Sequence, residues 1–145
     1  MGLSYSVERE LVTVIAEGSF GVDQVYTAFS RIRSAFDGSA PLQILIVDRG
    51  SEFEPSREDV QELARGWGEI FRNVPVRIAL LVEKDLHYGL GRMTAVYAKQ
   101  HDLPFDVFRH SLDALQWLSK GRTFDSLSAR RSTAASPDPV PGSRR

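Results

Sequence analysis

Five residues carry most of the chemistry this 145-residue chain can offer: Asp48, Ser56 and the histidines His87, His101 and His110. Asp48 closes the apolar run Leu42-Gln43-Ile44-Leu45-Ile46-Val47. The end of a central strand is where α/β folds place functional residues. With His87 or His110 within hydrogen-bond reach in a cleft, Asp48 would belong to an acid–base pair. No spacing in the chain predicts that meeting, so the simpler expectation is that Asp48 bonds the turn after it. The histidines show no i, i+4 pairing with each other or with carboxylates that would suggest a metal site. His101 falls at the end of a helical pattern, where positive charge is favoured, and His110 falls in a turn. The chain has no cysteine, which excludes disulfides, thiol catalysis and Cys-ligated metals. Gly18-x-x-Gly21 and Gly89-x-Gly91 lack the rest of a phosphate-loop or dinucleotide pattern and read as turn glycines. No catalytic residue and no cofactor are expected.

Two constellations suit binding rather than catalysis. Ser56 precedes a helical pattern, with Asp59 three residues on. That spacing predicts an N-cap and its reciprocal partner. A phosphate on Ser56 would meet the positive end of the helix, although Glu54, Glu58 and Asp59 would repel it. Phe53 lies nearby in a polar loop, and the sequence expects it to be an exposed anchor. Phe53, Ser56 and Glu58 are therefore the candidate switch or partner contact. The second constellation is apolar. Gly66-Trp67-Gly68 puts two glycines inside a helix, each costing roughly 1 kcal/mol relative to Ala. The next helix holds Gly89 and Gly91. A mobile helix pair opening on Trp67, Phe71, Met93 and Tyr97 would give a pocket for a small apolar or lipid-like ligand. An ordinary packed aromatic core is the competing expectation.

The elements that position these residues follow from periodicity. Ser4–Glu8 and Leu11–Glu17 alternate or are β-branched and predict a hairpin, broken at Arg9-Glu10. Val22, Val25, Tyr26, Phe29, Ile32 and Phe36 form one helical stripe, stopped at Asp37-Gly38. Residues 42–48 are apolar on both faces and predict a central, covered strand. A helix after Ser56 carries Val60, Leu63, Ala64, Trp67, Ile70 and Phe71. Val76–Glu83 is the next core strand. A helix from near His87 to Gln100 turns Leu90, Met93 and Tyr97 inward. Asp106–Arg109 is a short strand, and Ser111 caps a last helix with Leu112, Leu115 and Leu118 on its apolar face. The order is β-β-α-β-α-β-α-β-α. Strand–helix–strand units require parallel pairing. The fold class is α/β, with a mixed, mostly parallel five-stranded sheet and four helices lying mostly on one face.

Composition is that of a soluble domain, 42% hydrophobic and 26% charged, with a net charge of −1. The charge is divided. Residues 119–145 hold six Lys/Arg against two Asp/Glu, and the rest of the chain is acidic. Those residues lose periodicity and collect Ser, Arg and Pro, so the expected organisation is a domain over 1–118 and a disordered basic tail over 119–145. The acidic domain keeps its aromatics on core stripes, so no nucleic-acid partner is expected. No run approaches the ~20 apolar residues of a membrane span. The N-terminus lacks a signal-peptide pattern, and the expected location is cytoplasmic.

The element order, the strand ending in Asp48, Ser56 at the head of the second helix, and the ending Val107-Phe108-Arg109 … Ala114-Leu115-Gln116-Trp117-Leu118 resemble the STAS superfamily, in particular its SpoIIAA-like branch. That branch is also compared with the CRAL-TRIO lipid-carrier fold. The resemblance implies a non-enzymatic module that contacts a protein partner or itself, with homodimerisation as one form. In the antagonists of that superfamily a serine at this helix start is phosphorylated. Ser56 holds the matching place, without the glycine that follows the family's serine. The expectation is thus a regulatory, protein-binding module. The alternative is a carrier or sensor of a small apolar ligand between the second and third helices, and the least favoured reading is an enzyme using Asp48 with a histidine.

Overall fold

The computed structural model describes residues 2–8, 11–36 and 41–120. The expected breaks at Arg9-Glu10 and Asp37-Gly38, and the tail beyond residue 120, lie outside the described residues. The elements are β1 (Gly2–Glu8), β2 (Leu11–Glu17), α1 (Val22–Ser34), β3 (Leu42–Asp48), α2 (Arg57–Ile70), β4 (Val76–Leu81), α3 (Asp85–Lys99) and β5 (Phe105–Phe108). A last helix, α4, covers residues 111–120. The expected α/β architecture is the one observed.

The strands form one sheet in the order β1-β2-β3-β4-β5. β1 and β2 pair antiparallel, with Tyr5 opposite Val14. Every other neighbour is parallel: Ile44 beside Val12 and Ile78, and Val107 beside Leu80. Each parallel pair is joined through a helix, as a crossover requires. Alternation along the strands assigns the two faces. Val12, Val14, Ile44, Ile46, Ile78 and Phe105 pack with Phe29 and Ile32 of α1 and with Leu63 and Trp67 of α2. Leu45 and Ala79 point the other way and pack under Ala114 and Leu118 of α4. Three helices thus share one face, and α4 covers the centre of the opposite face. This double cover is why β3 is apolar throughout. Arg77 and Trp117 fasten α4 at its edge, the guanidinium lying 4.0 Å from the ring centroid.

The helix boundaries have local causes. Ser56 Oγ accepts the Asp59 N–H at 3.1 Å, and the Asp59 carboxylate accepts the Ser56 N–H at 3.2 Å. The reciprocal cap read from the sequence is therefore in place. α3 begins two residues earlier than expected, because Arg109 Nη2 donates to Asp85 at 2.7 Å and stacks over Tyr88. α4 begins at residue 111, with the Ala114 N–H donating to the His110 carbonyl at 3.2 Å. Ser111 thus opens the first turn rather than capping it.

The inward face of α3 differs from the expected one. Its buried residues are His87, Gly91, Thr94 and Ala98, whereas Leu90, Met93 and Tyr97 are half-exposed. The reason is distance. A Cβ on Gly91 would lie 2.6 Å from Val107 Cγ2, so α3 sits too close to β5 for a large side chain between them. The glycines of α2 have a similar cause. A Cβ on Gly66 would lie 2.8 Å from Tyr26 Cζ, and one on Gly68 would lie 2.9 Å from His101 Cβ. These close approaches give the two helical glycines of α2 a packing reason.

Candidate functional site

The strand ends carry loops that are pinned to each other. Gly50 sits at φ 65°, turning the chain after Asp48. Asp48 Oδ1 then accepts the Ser51 N–H at 2.8 Å, and Oδ2 accepts the Ser51 hydroxyl at 3.1 Å. Asp48 thus bonds the following turn, as its position in the sequence suggests. The loop is held to the end of β2 by Arg49 N–H to the Ala16 carbonyl and Glu52 N–H to the Gly18 carbonyl, at 2.9 and 2.8 Å. Phe20 and Phe53, one from each loop, stack with centroids 4.8 Å apart.

Under these loops lies a cavity of about 80 Å³. Its walls come from all three helices of this face, from the C-terminal halves of β2, β3 and β4, and from Leu3 of β1 and Phe105 of β5. Seventeen residues line it, and only Asp48, His87 and Thr94 among them are polar. His87 comes from the first turn of α3, and its Nδ1 lies 3.3 Å from Asp48 Oδ2. Both groups are nearly inaccessible, with His87 at 3% exposure and Asp48 at 8%. The distance suits an ion pair, but neither His87 nitrogen has a hydrogen-bond partner. Trp67, 5% exposed, also lines the cavity, and its Nε1–H is likewise buried without a partner. The Trp67 ring is fixed between Phe29 and Phe105, with centroids at 5.0 and 5.7 Å. Thr94 gives its proton to the Leu90 carbonyl at 2.7 Å, which leaves its oxygen able to accept.

The candidate residues fall in different places. Trp67 lines the cavity. Phe71 is packed edge-on against Phe29 in the core, and Met93 and Tyr97 stand outside the cavity wall. The apolar site lies beneath α1, α2 and α3 together rather than between α2 and α3. Phe53 is half-buried over the cavity instead of being an exposed anchor, whereas Ser56 and Glu58 are exposed. His110 is exposed at the head of α4 and His101 beyond α3, leaving His87 as the histidine that meets Asp48. The sequence reading missed Ser51, Thr94 and Phe20. The stripe His87, Gly91, Thr94, Ala98, spaced at four, three and four, was the available signal for a close-packed face.

The arrangement limits the chemistry. In a Ser-His-Asp relay the imidazole stands between hydroxyl and carboxylate. Here the carboxylate stands between Ser51 and His87, so His87 does not activate Ser51. Among the described residues no group of three or more His, Cys, Asp or Glu is placed to hold a metal, and no helix is long and apolar enough to cross a membrane.

Comparison with solved structures fits this geometry into a known fold. An uncharacterized protein of the DUF3478 family from Shewanella loihica PV-4, described as having a SpoIIAA-like fold, superimposes with a TM-score of 0.54. The match covers 81% of this chain and 94% of that one at 21% identity. The chain has a SpoIIAA-like fold. At that identity the likeness concerns architecture, and fold alone does not assign activity. No protein-family model matches the sequence, and no curated protein does.

Proposed function

We propose that this SpoIIAA-like domain is a non-catalytic binding module whose cavity takes a small, mainly apolar molecule. The observation that carries this reading is the cavity itself, lined by seventeen residues of which only Asp48, His87 and Thr94 are polar. Apolar walls with a few polar groups are the usual form of a small-molecule site. The cavity is about half the ~150 Å³ that admits benzene in an engineered protein core. It therefore accepts the first few atoms of a ligand, and a longer one has to part Phe20 from Phe53.

This reading displaces the protein-contact module as the better supported one, because Phe53 packs over the cavity instead of projecting as an anchor. The exposed Ser56–Glu58 start of α2 remains the surface for a partner or a second copy. A cytoplasmic setting suits a cysteine-free chain.

Native mass spectrometry of freshly purified protein, followed by denaturation, tests the proposal. Extra mass that is lost on denaturation is the expected result. A bare chain whose amide spectrum also ignores small apolar probes would overturn it, and a dimer peak would return the lead to the contact module.

A further inference from the structure

The face of the sheet opposite the cavity is covered only in part. In β2, Val12, Val14 and Ala16 are buried on the cavity side, whereas Leu11, Thr13 and Ile15 on the other side are half-buried. Val47 lies beside Ile15 on that far face and is half-buried too. α4 covers the centre of this face through Ala114 and Leu118. Its Trp117 leans toward the β4 and β5 side, against Arg77 and Phe108. Successive helical residues turn by about 100°, so Leu115 stands on the opposite flank of α4, the one toward β2, with Leu112 one turn before it. These two leucines are 39% and 66% exposed. Ile15, Val47, Leu112 and Leu115, with Thr13 among them, thus form an open apolar band.

We infer that this band is the docking surface for the chain's own C-terminal segment, residues 121–145, held there by Phe124 and Leu127. Where the segment begins is the first argument. α4 runs back from the end of β5, and Leu118 in its last turn shares a cluster with Leu11, the first residue of β2. The chain therefore leaves residue 120 at the foot of the band. Length is the second. Residues 121–124 span up to roughly 14 Å when extended, and the path along β2 from Leu11 to Ile15 is about 13 Å. Phe124 therefore reaches the band, and Leu127, three residues on, shares its side in a single helical turn. Phe124, Leu127 and Val140 are the large apolar residues of the segment. Charge is the third. Residues 121–145 hold five Arg and two Asp. Glu8 and Glu17 are exposed on the far face, Glu8 opposite Leu11 at the foot of the band and Glu17 at its head. Exposed ion pairs add little affinity, so the charges orient the segment and the two apolar side chains hold it. A second copy, or any other protein that binds this face, has to displace the segment first.

The test uses the full chain. It has no cysteine, so Ser128→Cys gives a single site for a nitroxide spin label beside the two anchors. The readout is the loss of amide signals in a proton–nitrogen correlation spectrum, with the label oxidised and then reduced. Thr13, Ile15, Val47 and Leu115 should lose most of their intensity, while Val96, exposed on α3 across the sheet, keeps its own. Replacing both anchors, Phe124→Ser and Leu127→Ser, should restore the four signals. Loss confined to the end of α4 would mean that the segment does not dock, and the inference fails. Loss that persists in the double variant would overturn Phe124 and Leu127 as the anchors. A mixture of spin-labelled chains without isotope and isotope-labelled chains without the spin label should keep all four signals. Their loss in that mixture would overturn the inference in favour of a second copy on this face. The cavity lies on the other side of the sheet, so its own test stands apart from each of these outcomes.

Discussion

His87 Nδ1 lies 3.3 Å from Asp48 Oδ2, although 38 residues, including the whole of α2 and β4, separate them in sequence. The carboxylate closes β3 and the imidazole opens α3, so the meeting is made by β3 and β4 lying side by side. Asp48 also holds the loop over the cavity, since both of its oxygens accept from Ser51, which is fully buried. Asp48→Ala would strand the Ser51 N–H and hydroxyl away from water. Each unmet buried group costs about 1–3 kcal/mol. We predict a fall of at least ~2 kcal/mol in unfolding free energy, read from urea midpoints. Ser51→Ala removes the hydroxyl's bond to Asp48 and the longer one it accepts from the Phe53 N–H at 3.4 Å, but keeps the Ser51 N–H bond, so it should cost about 1 kcal/mol. A double-mutant cycle should show strong coupling between the two positions. An Asp48→Ala midpoint equal to that of the wild type would mean the turn is not held this way.

Two helical glycines should respond to alanine with opposite signs. Gly66 lies under Tyr26, and an added Cβ would fall within 2.8 Å of its ring, which is itself tied by its hydroxyl to the Glu62 carbonyl at 2.5 Å. Overpacking of this kind costs about 1–3 kcal/mol, more than the gain in helix propensity. Gly66→Ala should therefore destabilise. Gly89 has open space where its Cβ would be, and it is exposed. Gly89→Ala should stabilise by up to about 1 kcal/mol. The same packing predicts that amides of α2 and α3 exchange no faster than those of α1. Faster exchange in α2 and α3 would revive the mobile pair that the glycine content suggests.

Ser56 and Asp59 share one reciprocal cap. Ser56→Ala should cost about 1 kcal/mol, and adding Asp59→Ala should cost little more, since either change breaks the box. Because Ser56 is exposed and outside the cavity wall, probe binding to the cavity should be unaffected. Loss of binding in Ser56→Ala would tie the helix start to the pocket. Thermal melts and the amide spectrum with a small apolar probe read the two effects separately.

What the sequence made legible was local. Residues 42–48 are apolar at both parities, which requires cover on both faces, and the structure supplies it with α1 to α3 on one side and α4 on the other. Ser56 and Asp59 are three apart, and a reciprocal cap needs no more than that. The face of α3 was hidden for the opposite reason. Counting apolar residues selects Leu90, Met93 and Tyr97, but the buried face is set by how near α3 comes to Val107 of β5, a distance that no local pattern encodes. The Asp48–His87 approach was hidden in the same way, being a product of strand order. Trp67 and Phe71 lie on one stripe, yet only Trp67 reaches the cavity, because Phe71 is a full turn farther from the strand ends where the loops close.

Tyr26 gives a prediction at alkaline pH. Its phenol is held above its ordinary ionisation range, first by burial and then by the nearby Glu62 carboxylate, with Arg65 opposing them. The neutral form is thus favoured more in the folded chain than in the unfolded one. The resulting stability is fully present below the unfolded value of about 10 and is lost as pH rises from there through the folded value. Tyr26→Phe should cost about 1 kcal/mol near pH 8 by losing the bond to the Glu62 carbonyl. The gap between wild type and Tyr26→Phe should shrink as pH rises to about 11, because Phe has no proton to lose. Urea midpoints of both proteins across that interval measure the gap directly. A gap that stays constant would place Tyr26 ionisation outside the folding equilibrium, and its role would then be confined to packing over Gly66.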